Sequence, residues 1–157
     1  MEQAIVKAVV PDTSEAKITI VGVPDQPGIA AGMFRALADA GVNVDMIVQN
    51  VSLEGETDIS FTCPHEQAEQ AAAICEAASG EGCVVSTDVE IGRVSVVGAG
   101  MKSNPGVAAA MFETLANAGI NIDMISTSAI RISCVVRSAQ VDDATQALHD
   151  AFGLANQ

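Results

Sequence analysis

One stretch of this chain occurs twice, and the duplication constrains the fold more than any other feature. Residues 27–47 read PGIAAGMFRALADAGVNVDMI, and residues 105–125 read PGVAAAMFETLANAGINIDMI. About two thirds of the positions are identical, and most of the rest are conservative, such as Ile29 against Val107 and Val44 against Ile122. The preceding segments match as well, ITIVG at 18–22 against VSVVG at 94–98. Two copies of one unit are therefore expected, each too small to be comfortably stable alone.

Each copy reads as strand, helix, strand, strand, helix. Val- and Ile-rich strands come first, at 17–23 and 92–98. A Pro-Gly turn opens helices at 28–40 and 106–118. Ile29, Met33, Phe34 and Leu37 recur at helical spacing in the first, and Val107, Met111, Phe112 and Leu115 in the second. Gly41 and Gly119 fall where helix C-termini favour glycine. Strands are expected at 43–51 and 57–62, and at 121–128 and 130–137. Second helices follow at 66–79 and 141–152.

The copies differ in how they end. The first continues into CVVSTDVE, a fourth strand at 83–90. The second stops after its second helix, while AIVKAVV at 4–10 is an unmatched strand ahead of the first copy. The economical arrangement lends that N-terminal strand to the second copy. Module 1 then covers 15–91, and module 2 covers 92–157 plus 3–10. The pattern βαββαβ is the ferredoxin-like α+β arrangement, a four-stranded antiparallel sheet with two helices on one face. Strands as apolar as MIVQNV and VSVVGAG suggest limited solvent exposure and extension of a sheet across a dimer.

Composition removes several function classes. Hydrophobic residues make up 49% of the chain and aromatics 3%, so the core is aliphatic. A net charge of −13 repels nucleic acid and anionic membrane surfaces. No apolar run approaches the ~20 residues of a membrane span, and no secretion-signal pattern opens the chain. Cys63, Cys75, Cys83 and Cys134 include no Cys-x-x-Cys pair, and only His65 and His149 could join them. No metal or cofactor is expected, and reduced thiols point to a cytoplasmic protein.

Catalytic chemistry is likewise unsupported. GAGMKSNPG is neither a Gly-x4-Gly-Lys-Ser/Thr nor a Gly-x-Gly-x-x-Gly loop. The two histidines indicate no triad. Asp142 and Asp143 read as N-capping and dipole-favouring residues of a helix start.

A duplicated polar constellation remains. Each Pro-Gly turn leaves backbone N–H groups unpaired at a helix start. The carboxylate of a free amino acid could accept them, and a nearby carboxylate could hold its ammonium group. Asp25, Asp45 and Asp123 carry charge, and Asn43, Asn121, Gln49 and Asn50 are neutral partners. Asn43 and Asn121 serve equally well as residues that satisfy the turn between helix and strand.

The segments SEAKITIVGVPDQPGIAAGMFRALADAGVNVDMIVQNVS, TDISFTCP, GRVSVVGAGMKSNPGVAAAMF and NIDMISTSAIRISCVVR together resemble the regulatory region of aspartate kinase (aspartokinase), a tandem pair of ACT domains. The resemblance covers nearly the whole chain. It implies a non-catalytic regulatory subunit, either a natural β subunit or a truncated regulatory fragment. Such a subunit binds a feedback amino acid, threonine and possibly lysine, at interfaces between ACT domains. It thereby inhibits the catalytic subunit that serves lysine, threonine and methionine biosynthesis. The implied partners are a second copy in the isolated state and a catalytic α subunit in the holoenzyme. An assembly subunit without its own effector site is the alternative.

Carried over by resemblance, the effector site comprises Asp25, Gln26, Pro27, Gly28, Ile29 and Ala30, completed by Asn43, Val44, Asp45 and Gln49. The opposing second module contributes Ala108, Ala109, Ile122, Asp123, Ala129 and Ile130. Ala129 departs from the acidic residue often found there. Lys102-Ser103-Asn104 stands where the first module has Asp25-Gln26, so the Asp25 loop is expected to be the stronger site.

Overall fold

The computed structural model describes residues 5–51, 54–101 and 104–154. The chain divides into two compact units, residues 14–89 and residues 1–13 with 90–157. Each is a four-stranded antiparallel sheet carrying two helices.

The first unit contains β2 (Glu15–Pro24), α1 (Ile29–Asp39), β3 (Ile47–Val51), β4 (Glu56–Pro64), α2 (Ala68–Ser79) and β5 (Val84–Asp88). Its sheet order is β3-β4-β2-β5. The second contains β1 (Ile5–Asp12), β6 (Ile91–Ala99), α3 (Gly106–Asn117), β7 (Met124–Thr127), β8 (Arg131–Arg137) and α4 (Val141–Ala151). Its order is β1-β6-β8-β7, so the N-terminal strand completes the second module. The two sheets have the same ferredoxin-like order once β1 is counted as a fourth strand.

Alternation along the strands explains the cores. Ile18, Ile20 and Val23 of β2 and Ile59, Phe61 and Cys63 of β4 are buried with Met33, Leu37, Ala71 and Cys75 of the helices. Phe34 meets Phe61 edge-on with ring centroids 5.8 Å apart. In the second unit Val94, Val96, Ile132, Cys134 and Val136 meet Met111, Leu115, Ala144 and Leu148, and β1 adds Val9. An extra residue in β2 between Ile20 and Val23 keeps both on the core side. Gly22 takes the positive φ of 83° at this bulge, and its N–H donates to Asp58 Oδ1 at 3.1 Å.

Several sequence expectations need correction. The strands expected from 43 and 121 begin only at Ile47 and Met124. In the first module Asn43 N–H donates to Gln67 Oε1 and Met46 N–H to the Thr62 hydroxyl, so neither amide joins the regular backbone ladder. His65–Gln67 forms a single 3-10 turn ahead of α2. Asp142 and Asp143 lie in the first turn of α4, but Gln140 is its N-cap and no side chain caps it. Of the apolar MIVQNV segment only Met46 is shielded within the module. All five residues of β3 are exposed, Ile47 at 53% and Val51 at 59%, because β3 is an edge strand. All four cysteines are free thiols.

Candidate functional site

The start of α1 has no side-chain cap. β2 ends at Pro24, and Asp25 N–H donates to Gly55 O at 2.9 Å, which ties this loop to the β3–β4 turn. Gly28 is the helix N-cap with φ 93°, a conformation that suits glycine, and no side chain caps the helix. Ile29 N–H reaches Gln26 O at 3.4 Å and Gly32 N–H reaches Gly28 O at 2.9 Å. Among the described residues, the N–H groups of Gly28 and Ala30 meet no protein acceptor. Asp25, Gln26, Pro27 and Gly28 are exposed, and Ile29 and Ala30 are half-buried. Among the described residues the Asp25 carboxylate meets no cation. Free amides and a free carboxylate thus sit within a few residues of each other, the complement of a zwitterion.

The remaining first-module candidates do not all gather there. Register pairs Val51 with Thr57 and Ile47 with Phe61, so β3 runs away from the Asp25 loop toward its own N-terminus. Asn43, Val44 and Asp45 lie beyond that far end, where Asp45 N–H donates to Thr62 O at 2.9 Å. At about 3.3 Å per strand residue, this separates them from the Asp25 loop by the length of the strand. Gln49 sits midway, exposed, on the side of the sheet that carries the helices.

The turn after α1 is held by Gln67. Its Nε2 donates to Gly41 O at 2.9 Å, and its Oε1 accepts from Asn43 N–H at 3.0 Å. The turn is satisfied by glutamine, and the exposed Asn43 side chain is not spent on it. Gln140 repeats the first of these bonds, to Gly119 O at 3.4 Å.

The second module has a defined cleft of about 490 Å³ between the start of α3 and the β7–β8 turn. Met101, Asn104, Pro105, Ala108, Thr127, Ser128, Ala129 and Ile132 line it. Of the candidates, Ala108 and Ala129 belong to this cleft. Ala109 is exposed on α3, and Ile130 is 61% exposed on the turn. Ile122 and Asp123 precede β7 at its other end, where Asp123 N–H donates to Val135 O at 2.8 Å. The Asp123 carboxylate faces Arg137 at 3.5 Å, and Arg137 also meets Glu90 at 3.8 Å.

The residues missed by sequence reasoning were reachable through the repeat. Aligning the copies sets Asn104, Pro105 and Thr127 opposite Gln26, Pro27 and Gln49, all three already chosen in the first module. Carrying the first-module set across would have found them. Lys102 and Ser103 lie outside the described residues.

The profile of the ACT domain matches residues 18–78 and 94–152. The chain belongs to the ACT-domain family. Its relatives place it further. Aspartokinase of Mycolicibacterium smegmatis is 52% identical over 158 residues, which cover 98% of this chain and 38% of that protein. The ACT pair thus spans well under half the length of such relatives. Two solved structures match it almost end to end. One, described as aspartokinase alpha and beta subunits, has a TM-score of 0.89 and 43% identity, covering 96% of this chain and all of that chain. The other, the ligand-free regulatory subunit of aspartate kinase from Thermus thermophilus, has a TM-score of 0.89 and 40% identity, covering 94% and 98%. The ACT pair is therefore the regulatory part of an aspartokinase. Among the described residues, no helix is long and apolar enough to cross a membrane.

Proposed function

We propose that this ACT pair is a non-catalytic sensor that binds threonine, with lysine as a second candidate, and inhibits an aspartokinase catalytic subunit. The start of α1 carries the reading. Backbone N–H groups of Gly28 and Ala30 receive the ligand carboxylate, and Asp25 holds its ammonium group. Gln26, Pro27 and Ile29 shape this loop. Gln49, midway along β3 on the side of the sheet that carries the helices, supplies a further polar contact. Inhibition requires that the ligand bind one state of the holoenzyme more tightly than the other. The apolar exposed edge β3 supports pairing with a second copy or with the catalytic chain.

A thermal-shift screen over the standard amino acids tests the proposal. A ligand at a hundredfold excess over its Kd stabilises the folded state by about 2.7 kcal/mol, which such a screen resolves. Stabilisation by threonine or lysine is the expected result. No shift with any amino acid at millimolar concentration would leave β3-mediated assembly as the function.

A further inference from the structure

We propose that Thr57 is the specificity residue of the first module, reading the side chain of the bound amino acid through its hydroxyl. This rests on the effector reading above. Thr57 is 1% exposed, and among the described residues its Oγ1 has no hydrogen-bond partner. Other buried hydroxyls of the sheets are paired. Ser95 meets Ser133 at 2.7 Å, and Thr62 accepts from Met46 N–H at 3.0 Å. A buried hydroxyl without a partner is held at a cost in free energy, so a functional reason is to be sought.

Its position supplies one. Thr57 is registered against Val23 of β2 and Val51 of β3. It stands two residues before Ile59, hence on the side of the sheet that carries the helices. This is the end where β2 passes into the Asp25 loop and α1 begins. In the proposed site, a ligand whose carboxylate sits on the α1 amides would extend its side chain toward this end of the sheet. Register, which pairs Ile59 with Ile20 and Ile132 with Val96, places Ile130 at the corresponding position of the second module, 61% exposed and without a hydroxyl. The first module thereby has a buried hydroxyl at a position where the second has none. A site whose polar group needs a partner rejects an apolar isostere far more strongly than an apolar pocket rejects a hydroxyl.

The test is titration of L-threonine and of its isostere L-valine into the unaltered chain, Thr57→Val and Thr57→Ser. The unaltered chain and Thr57→Ser should prefer threonine by at least about tenfold. Thr57→Val should bind the two with nearly equal affinity. Without ligand, Thr57→Val should also melt at a higher temperature, because it removes the orphaned hydroxyl at constant shape. A retained threonine preference in Thr57→Val, or a lower melting temperature, overturns the assignment alone. Failure of the unaltered chain to bind either amino acid overturns the effector reading and this assignment with it.

Discussion

Arg93 on β6 places a guanidinium nitrogen 3.1 Å from Asp12 Oδ2 on β1, a cross-strand ion pair whose side chains are 15% and 29% exposed. Asp12 and Arg93 are also backbone register partners, the last of the β1–β6 ladder. The pair pins the end of the N-terminal strand to the module that its sequence neighbours do not belong to. Removing one partner, as in Asp12→Asn, leaves the other charge partly desolvated. Chemical denaturation should show a loss of about 1–2 kcal/mol. Deleting residues 1–13 should be far worse, because it removes Val9 from the core and bares the edge of β6. An unchanged melting profile after deletion would contradict the assignment of β1 to this sheet.

Gly92 is where α4 rests on β6. A Cβ there would overlap Val141 Cγ2, the first residue of α4. Gly92→Ala should therefore destabilise by about 1–3 kcal/mol through overpacking. The double variant with Val141→Ala should recover part of that loss, measured as a coupling in a double-mutant cycle.

The Gln67 and Gln140 side chains allow a paired comparison. Gln67 makes two bonds across its turn, and Gln140 makes one longer bond across the equivalent turn. At about 1 kcal/mol per bond, Gln67→Ala should cost about 1–2 kcal/mol and Gln140→Ala well under 1. Equal losses in urea unfolding would refute the ranking.

Stability should fall in alkali. Burial pushes the Cys134 thiol up to about 12 and the Cys75 thiol up to about 11, from an ordinary value of 9.0. Proximity to Cys63 adds to the second shift. Both groups stay protonated in the folded chain at pH values where the unfolded chain releases the proton. The stabilisation is thus complete below pH 9 and is lost progressively as pH rises through the folded values. The urea midpoint should decline above about pH 9, and Cys134→Val should flatten that decline.

Asp25→Ala should weaken threonine binding by more than about 1 kcal/mol, the scale of a lost charged hydrogen bond, with little change in the melting temperature of the exposed loop's module. Calorimetric titration at fixed pH decides it, and an unchanged affinity would remove Asp25 from the ammonium site.

Much of this protein was legible in its sequence because the relevant signals are short-range. The period of Met33 and Leu37, the alternation of Ile18 and Ile20, and Gly41 past a helix end depend on neighbours a few residues away. Duplication doubled each signal and exposed the unmatched strand at the N-terminus. The loop at Asp25–Ala30 was legible for the same reason, since a Pro-Gly turn at a helix start leaves amides free whatever surrounds it.

Register was not legible. Asn43–Asp45 and Asp25 looked like one site in sequence, yet the β3–β4 pairing sets them at opposite ends of a strand. Pairing is a long-range choice, made by which faces bury together, and local periodicity carries only the face of a strand and not its offset. The orphaned Thr57 hydroxyl is of the same kind. Alternation predicts its side of the sheet, but only its packing between Val23 and Val51 decides that the oxygen is buried without a partner. The sequence by itself determined two ACT modules and their helix-start amides, because backbone chemistry is local. The tertiary structure alone decided which side chains share an end of a sheet, because that depends on hydrogen bonds between residues far apart in the chain.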